Sequence, residues 1–271
     1  VVRRVNARVP LHDARVRVGG VCVALRSASD DFAAILEQRF AGFMAPDAEP
    51  RFTFDVEVVE PRDDAPDADV RVWRDAGLWR IERGDFRAEL DPRTRVGRIR
   101  QDANPYSIDS LLRIVHTLSL AEEGGFLLHA SSIVRGDRAK VFTGVSGAGK
   151  TTLARLAPKD ANVLTDEISY LRREGSCYVA HGTPFSGELG KPGENVSAPV
   201  EAIYLLAKGP ANRVEDVEPS VAARALLGNI LFFAEDAALV RRVFAAALDA
   251  VENIPVRRLT FVPDASVWEV L

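Results

Sequence analysis

Gly144-Val145-Ser146-Gly147-Ala148-Gly149-Lys150-Thr151 decides how this chain is read. The octet fits G-x-x-x-x-G-K-[ST] at every position. Before it, Lys140-Val141-Phe142-Thr143 reads as a buried strand. After it, Thr151-Thr152-Leu153-Ala154-Arg155-Leu156 reads as the start of a helix. Strand, glycine-rich loop and helix is the arrangement that a phosphate cradle requires. Glycines let backbone N–H groups turn inward, and the helix N-terminus adds favourable partial charge. Gly144, Ser146, Gly147, Ala148, Gly149, Lys150, Thr151 and Thr152 are therefore the expected nucleotide-binding residues. Lys150 would supply a mobile cation for the β- and γ-phosphates, and the Thr151 hydroxyl would ligate Mg²⁺. ATP and Mg²⁺ are the expected cofactors.

A second acidic element follows closely. Asn162-Val163-Leu164-Thr165 reads as a short strand with Asp166-Glu167 at its end. The numbering step from Lys150 to Asp166 is 166 − 150 = 16 residues, enough for one helix, a turn and a strand. GTPases and most motor ATPases insert more chain there, so the spacing favours a compact kinase. Adjacent side chains on a strand point to opposite faces, so the two carboxylates take different tasks. Asp166 is expected as the catalytic acid/base, being the shorter residue at the strand end. Glu167 would then help hold metal, with Thr151 and Asp166 as the other candidate ligands. The reverse assignment within the pair stays open.

Leu127-Leu128-His129-Ala130-Ser131-Ser132, the octet with Thr152, and Val163-Leu164-Thr165-Asp166-Glu167 together resemble the catalytic domain of HPr kinase/phosphorylase. That domain shares its P-loop fold with phosphoenolpyruvate carboxykinase. The resemblance implies an α/β fold, a mixed sheet with helices, preceded here by a smaller β-rich N-terminal region. It implies that His129 lies near the transferred phosphoryl group. Lys150 and Thr151 match the family's P-loop residues, and Asp166-Glu167 its acidic pair. The likeness covers roughly residues 125 to 210. It is closer to divergent HPr-kinase-related proteins, including tailoring kinases of ribosomal peptide clusters, in which stretches like Gly182 to Gly190 and Phe261 to Glu269 look familiar. The arginine- and glycine-rich signature that follows the acidic pair in true HPr kinases is not found, and the front of the chain is unlike their N-terminal domain. Both departures point away from HPr as the acceptor.

Between two expected strands, Ser176 to Ala180 and Ala202 to Ala207, the stretch Gly182 to Pro199 holds four glycines and three prolines. Loops of that length in compact domains are usually functional. With Glu188 and Lys191 in mutual reach, it is expected to cover the nucleotide or receive the acceptor.

The front of the chain reads as β-rich. Gly19-Gly20 marks a hairpin between Arg15–Val18 and Val21–Leu25. A short helix capped by Ser29 or Asp30 places Phe32, Ile35, Leu36 and Phe40 on one face. Phe52 to Val58 alternates as a strand, and Glu60 to Asp69 reads as an exposed loop. Strands are expected over 70–73, 78–82, 86–90 and 96–100, with Trp73, Trp79, Ile81, Phe86 and Leu90 in their core. Ser107 is expected to cap a helix that ends at Gly124-Gly125. Two regions follow, 1–106 and 107–271, with a soft boundary between 105 and 125. Helices are expected over 220–232, 235–253 and 265–271, and a strand over 256–262. The first two helices carry broad apolar faces for packing on the sheet, with a dimer interface as the alternative.

Composition sets the remaining bounds. The chain has 271 residues, 35 Lys+Arg against 39 Asp+Glu, and a net charge of −4. That is the wrong balance for a generally basic nucleic-acid binder. Only five cations are lysine, and none precedes Lys140. Cys22 and Cys177 have no metal-spaced partners, so neither zinc nor a disulfide framework is expected. No apolar run reaches the roughly 18–20 residues of a membrane span. A cytoplasmic protein without membrane or nucleic-acid partners is expected, and Val1-Val2-Arg3-Arg4, without an initiator Met, reads as a processing boundary. The functional expectation is an ATP-dependent kinase acting on a serine-like hydroxyl of a protein, peptide or small molecule. The alternative is a non-catalytic module that senses ATP or GTP through a partner protein.

Overall fold

The computed structural model describes residues 11–60 and 69–271, so most of the expected loop at 60–69 and the whole amino-terminal tetrapeptide lie outside the described residues. The chain is mixed α/β and divides into two compact units. Of the described residues, one unit holds those from Leu11 to Arg17 and within Val21–Leu111, and the other holds Val18–Gly20 and Leu112–Leu271.

The first unit is built on seven strands: β1 (His12–Val18), β2 (Val21–Ser27), β3 (Phe52–Val58), β4 (Arg71–Asp75), β5 (Leu78–Arg83), β6 (Phe86–Asp91) and β7 (Val96–Gln101). Their order is β1-β2-β3-β7-β6-β5-β4. Pairing is parallel on both sides of β3 and antiparallel from β7 to β4. Period-2 patterning explains the sheet: Phe52, Phe54 and Val56 are buried while Asp55 and Glu57 are exposed. Gly19 and Gly20 both take positive φ, as the two-residue hairpin turn requires. Helix α1 (Asp30–Arg39) is capped by Ser29, whose Oγ accepts the Phe32 N–H, and buries Phe32, Ala33 and Leu36.

The second unit starts within helix α2 (Pro105–Glu123) and continues with β8 (Phe126–Arg135), β9 (Arg138–Thr143), helix α3 (Lys150–Arg155), β10 (Ala161–Thr165), β11 (Ile168–Glu174), β12 (Cys177–His181), β13 (Ser197–Lys208) and β14 (Arg213–Asp216). Helix α4 (Pro219–Leu227), β15 (Ile230–Leu231), helix α5 (Ala237–Asn253), β16 (Val256–Phe261) and a 3-10 turn (Ala265–Glu269) complete it. The sheet is again mixed. Strand β13 runs parallel to β9 and β16, while β8 pairs antiparallel with β9, β10 and β11. Both faces are covered. Leu128, Ala130 and Val141 pack with Ala246, Ala250 and Ile254 of the α5 end. Ile133 and Phe142 pack with Leu153, Ala154 and Trp268 on the other side. Coverage on both faces explains why β8 and β9 are buried along almost their whole length.

Several sequence expectations are corrected. Trp73 is only half-buried and lies under the Arg71 guanidinium, while Trp79, Ile81, Phe86 and Leu90 are core residues. Alternation along the short β4 puts Val72 inward instead. Helix α2 starts at Pro105, and Asn104 accepts the Tyr106 and Ser107 N–H groups. Ser107 is buried within the first turn and donates to Asp85. Helix α4 stops at Leu227 before Gly228, and Ile230–Leu231 pairs with β8. Strands β11 and β14 were not anticipated.

The 182–196 connection is laced to β10 at its base. Thr183 N–H donates to Leu164 O, Glu194 N–H to Val163 O, and Gly193 N–H to Thr183 O. A Cβ on Gly193 would overlap the Leu164 carbonyl, which is backbone and cannot rotate away. Gly193→Ala is therefore expected to lower stability by on the order of 2–4 kcal/mol, read from urea denaturation.

Candidate functional site

The glycine-rich loop joins β9 to α3. Its crest, Val145 to Gly147, is exposed, while Ala148 and Lys150 are buried. Gly147 has φ +74° with open space where a Cβ would stand. Gly149 has φ +111°, and a Cβ there would lie 2.5 Å from Phe261 Cζ. Both positions thus need glycine for backbone reasons, and Gly149 also for contact. Strand β9 is fixed below the loop by its pairing with β8 and by Thr143 Oγ1 donating to His129 O at 3.0 Å.

Lys150 turns back into this loop. Its Nζ donates to Gly144 O at 3.1 Å and Val145 O at 3.4 Å. The residue is 7% exposed and makes no ion pair among the described residues. Burial pushes its pKa down, against the opposing pull of Glu167 and Glu188. A buried ammonium held only by neutral carbonyls is short of negative charge. Thr151 and Thr152 follow it in the first turn of α3, both partly accessible.

The acidic pair sits between β10 and β11. Thr165 Oγ1 accepts the N–H groups of Glu167 and Ile168, which fixes the turn. The two carboxylates then diverge. Asp166 is 2% exposed, its Oδ1 accepts the Gly187 N–H and its Oδ2 the Leu189 N–H, both at 2.9 Å. Glu167 remains partly accessible and faces His129, with Oε1 4.0 Å from Nε2. The carboxylate that faces His129 is thus Glu167, while Asp166, the expected acid/base of a pair whose reverse assignment stays open, holds the 187–189 backbone. Gly187 makes this packing attainable: a Cβ would stand 2.5 Å from Glu167 Oε2 and 2.9 Å from Asp166 Oδ2.

His129 lies on β8 opposite Ile168 of β11. Burial lowers its pKa first, and the charge of Lys150 lowers it further, while Glu167 opposes both. The lowered pKa favours the neutral ring at pH 7, an unperturbed imidazole titrating near about 6.5. Protonation opposes folding here, so this contribution to stability is present above about 6.5 and is lost as pH falls. In an NMR titration of the imidazole carbons, His129 is expected below the usual midpoint. Glu167→Gln should lower it further and Lys150→Met should raise it. A midpoint above about 6.5 would contradict this electrostatic account.

The structure brings Lys150, Glu167 and His129 together beside the 144–152 loop and turns Asp166 toward the 187–189 segment. Glu188 approaches Arg155 at 4.0 Å, and not Lys191 as expected. Sequence reasoning missed the backbone of Gly187 and Leu189 as partners of Asp166. The one available signal was the glycine density of that stretch. Among the described residues no group of three or more His, Cys, Asp and Glu side chains could hold a metal alone. Among the described residues no helix is long and apolar enough to cross a membrane.

These features define a mixed α/β protein with a glycine-rich strand-to-helix loop beside an acidic pair and a histidine. Residues 98–271 match the family described as SynChlorMet cassette protein ScmC, and the chain belongs to that family. No curated protein matches it. Among solved structures it is similar to the HPr(Ser) kinase/phosphatase from Coxiella burnetii, at 13% identity over 44% of this chain and 87% of that one. The TM-score of that likeness is 0.26, too low for it to carry an argument.

Proposed function

We propose that the chain is an ATP-dependent kinase that transfers the γ-phosphoryl group of Mg·ATP to a serine-like hydroxyl on a protein, peptide or small molecule. The observation that carries this reading is the buried Lys150 ammonium, whose two partners are carbonyls of its own loop. A phosphate on the loop would supply the missing negative charge. Gly144, Ser146, Gly147, Ala148, Gly149, Thr151 and Thr152 would line that phosphate. The Thr151 hydroxyl would hold Mg²⁺ with the phosphates, since Mg²⁺ takes few protein ligands when a nucleotide provides the rest.

When bound, Mg·ATP supplies the phosphoryl group and an ADP leaving group. Glu167 would take the proton of the acceptor hydroxyl, a reading supported by its facing His129 from a partly accessible position. Neutral His129 holds a ring N–H that can donate to developing negative charge. Asp166 does not act on the acceptor. It fixes the 187–189 segment beside Glu167, so that the loop can receive the acceptor. Positioning and electrostatics are most of what phosphoryl transfer asks of a protein.

The test is mass spectrometry of products after incubating the chain and Mg·ATP with lysate of its own cell. A phosphorylated product that requires the chain supports the reading. A stable nucleotide complex without product would overturn it in favour of nucleotide sensing.

A further inference from the structure

Helix α5 buries one face and leaves a second apolar line in solvent. Leu239, Val243, Ala246, Ala247 and Ala250 are its buried residues. At about 100° per residue, Ala237, Val240, Phe244 and Leu248 form another line centred on Phe244, and Val251 continues it at the edge while packing partly against the sheet core. Val240, Phe244 and Leu248 are 47%, 49% and 41% exposed. Single exposed apolar side chains need no explanation, but three in register along one helix do. From Ala237 to Val251 the line runs about 21 Å.

We propose that this line is the contact with a second copy of the chain, the two α5 helices packing antiparallel across a two-fold axis at Phe244. The pattern is its own complement. Its positions fall at about −7, −4, 0, +4 and +7 relative to Phe244. The two-fold operation therefore sets Val240 on the partner's Leu248 and Ala237 on the partner's Val251. Charge fixes the direction. Arg241 and Glu252 flank the same side of the line, with the small Ala245 between them. Both are exposed, and neither makes an ion pair on its own chain among the described residues. In the antiparallel arrangement Arg241 stands about 7–8 Å along the axis from the partner's Glu252, within reach of two long side chains. A parallel arrangement would put Arg241 and the partner's Glu252 on opposite sides of the seam, out of each other's reach. The interface does not depend on the kinase reading, because α5 contributes nothing to the 144–152 loop or the acidic pair.

Sedimentation velocity of the full chain over a concentration series tests it. A reversible dimer is expected, and Phe244→Glu should weaken it at least about tenfold with the circular dichroism spectrum unchanged. Arg241→Glu and Glu252→Arg should each weaken it by about three- to tenfold, and the double reversal should restore it. A wild-type chain that stays monomeric to about 100 μM overturns the proposal. So does a dimer indifferent to Phe244→Glu, or a charge pair without rescue. Binding of a monomeric wild-type chain to anionic lipid vesicles through Phe244 would assign the line to a membrane surface, and would also overturn it.

Discussion

Lys150→Met is expected to abolish phosphoryl transfer while leaving the nucleotide-free protein as stable as before, or more so. The two effects have one cause. Lys150 is buried, its pKa is pushed down by that burial, and its partners are two neutral carbonyls. Methionine keeps the length of the stem and removes a charge that the empty fold solvates poorly. With phosphate present the balance reverses, because a charge-assisted hydrogen bond to an anion is among the stronger contacts a protein makes. Loss of on the order of 3 kcal/mol corresponds to at least about a hundredfold in Mg·ATP affinity. The measurement is a pair of thermal melts with and without Mg·ATP, alongside a transfer assay. The variant should show no nucleotide-induced rise. The native chain should also gain stability as pH climbs through the lowered Lys150 pKa, where the buried charge is discharged, and the variant should lack that gain. A Lys150→Met protein that melts well below the native one would mean that the ammonium serves the fold.

How far such features could be read in advance depended on how local their causes are. The glycine-rich loop was legible because its requirement is a run of adjacent residues, and Gly147 and Gly149 take the backbone conformations that only glycine adopts easily. Strand β3 was legible from alternation and β5 to β7 from the turn residues that punctuate them, and each buries one face. Strand β11 was not, because Ile168-Ser169-Tyr170-Leu171 is buried throughout and shows no period. Ser107 reads as a cap in the sequence, whereas Asn104 accepts the first N–H groups, and such boundaries turn on single hydrogen bonds. The division of labour in the acidic pair was beyond sequence reading altogether. It depends on two N–H groups more than twenty residues downstream, at Gly187 and Leu189, and on the absence of one Cβ.

That division yields the second large effect. Glu167→Gln is expected to lower transfer by about 10²- to 10⁴-fold with nucleotide binding retained, the usual scale for loss of a general base. Glutamine keeps the shape and cannot take a proton. Asp166→Asn should act differently. Each Asp166 oxygen accepts a backbone N–H, whereas asparagine offers one oxygen and one NH₂ group. Either the Gly187 or the Leu189 N–H then meets another donor inside a buried site, at a cost of about 1–3 kcal/mol. The 187–189 segment should come loose, seen as faster proteolysis within 182–196 and a lower melting temperature. Transfer should fall less than in Glu167→Gln and recover in part at high acceptor concentration, because the base is intact and only its neighbour is misplaced. The reverse outcome, an inactive Asp166→Asn with its loop still protected and an active Glu167→Gln, would make Asp166 the base. The Gly187 and Leu189 contacts would then have to open in each catalytic cycle.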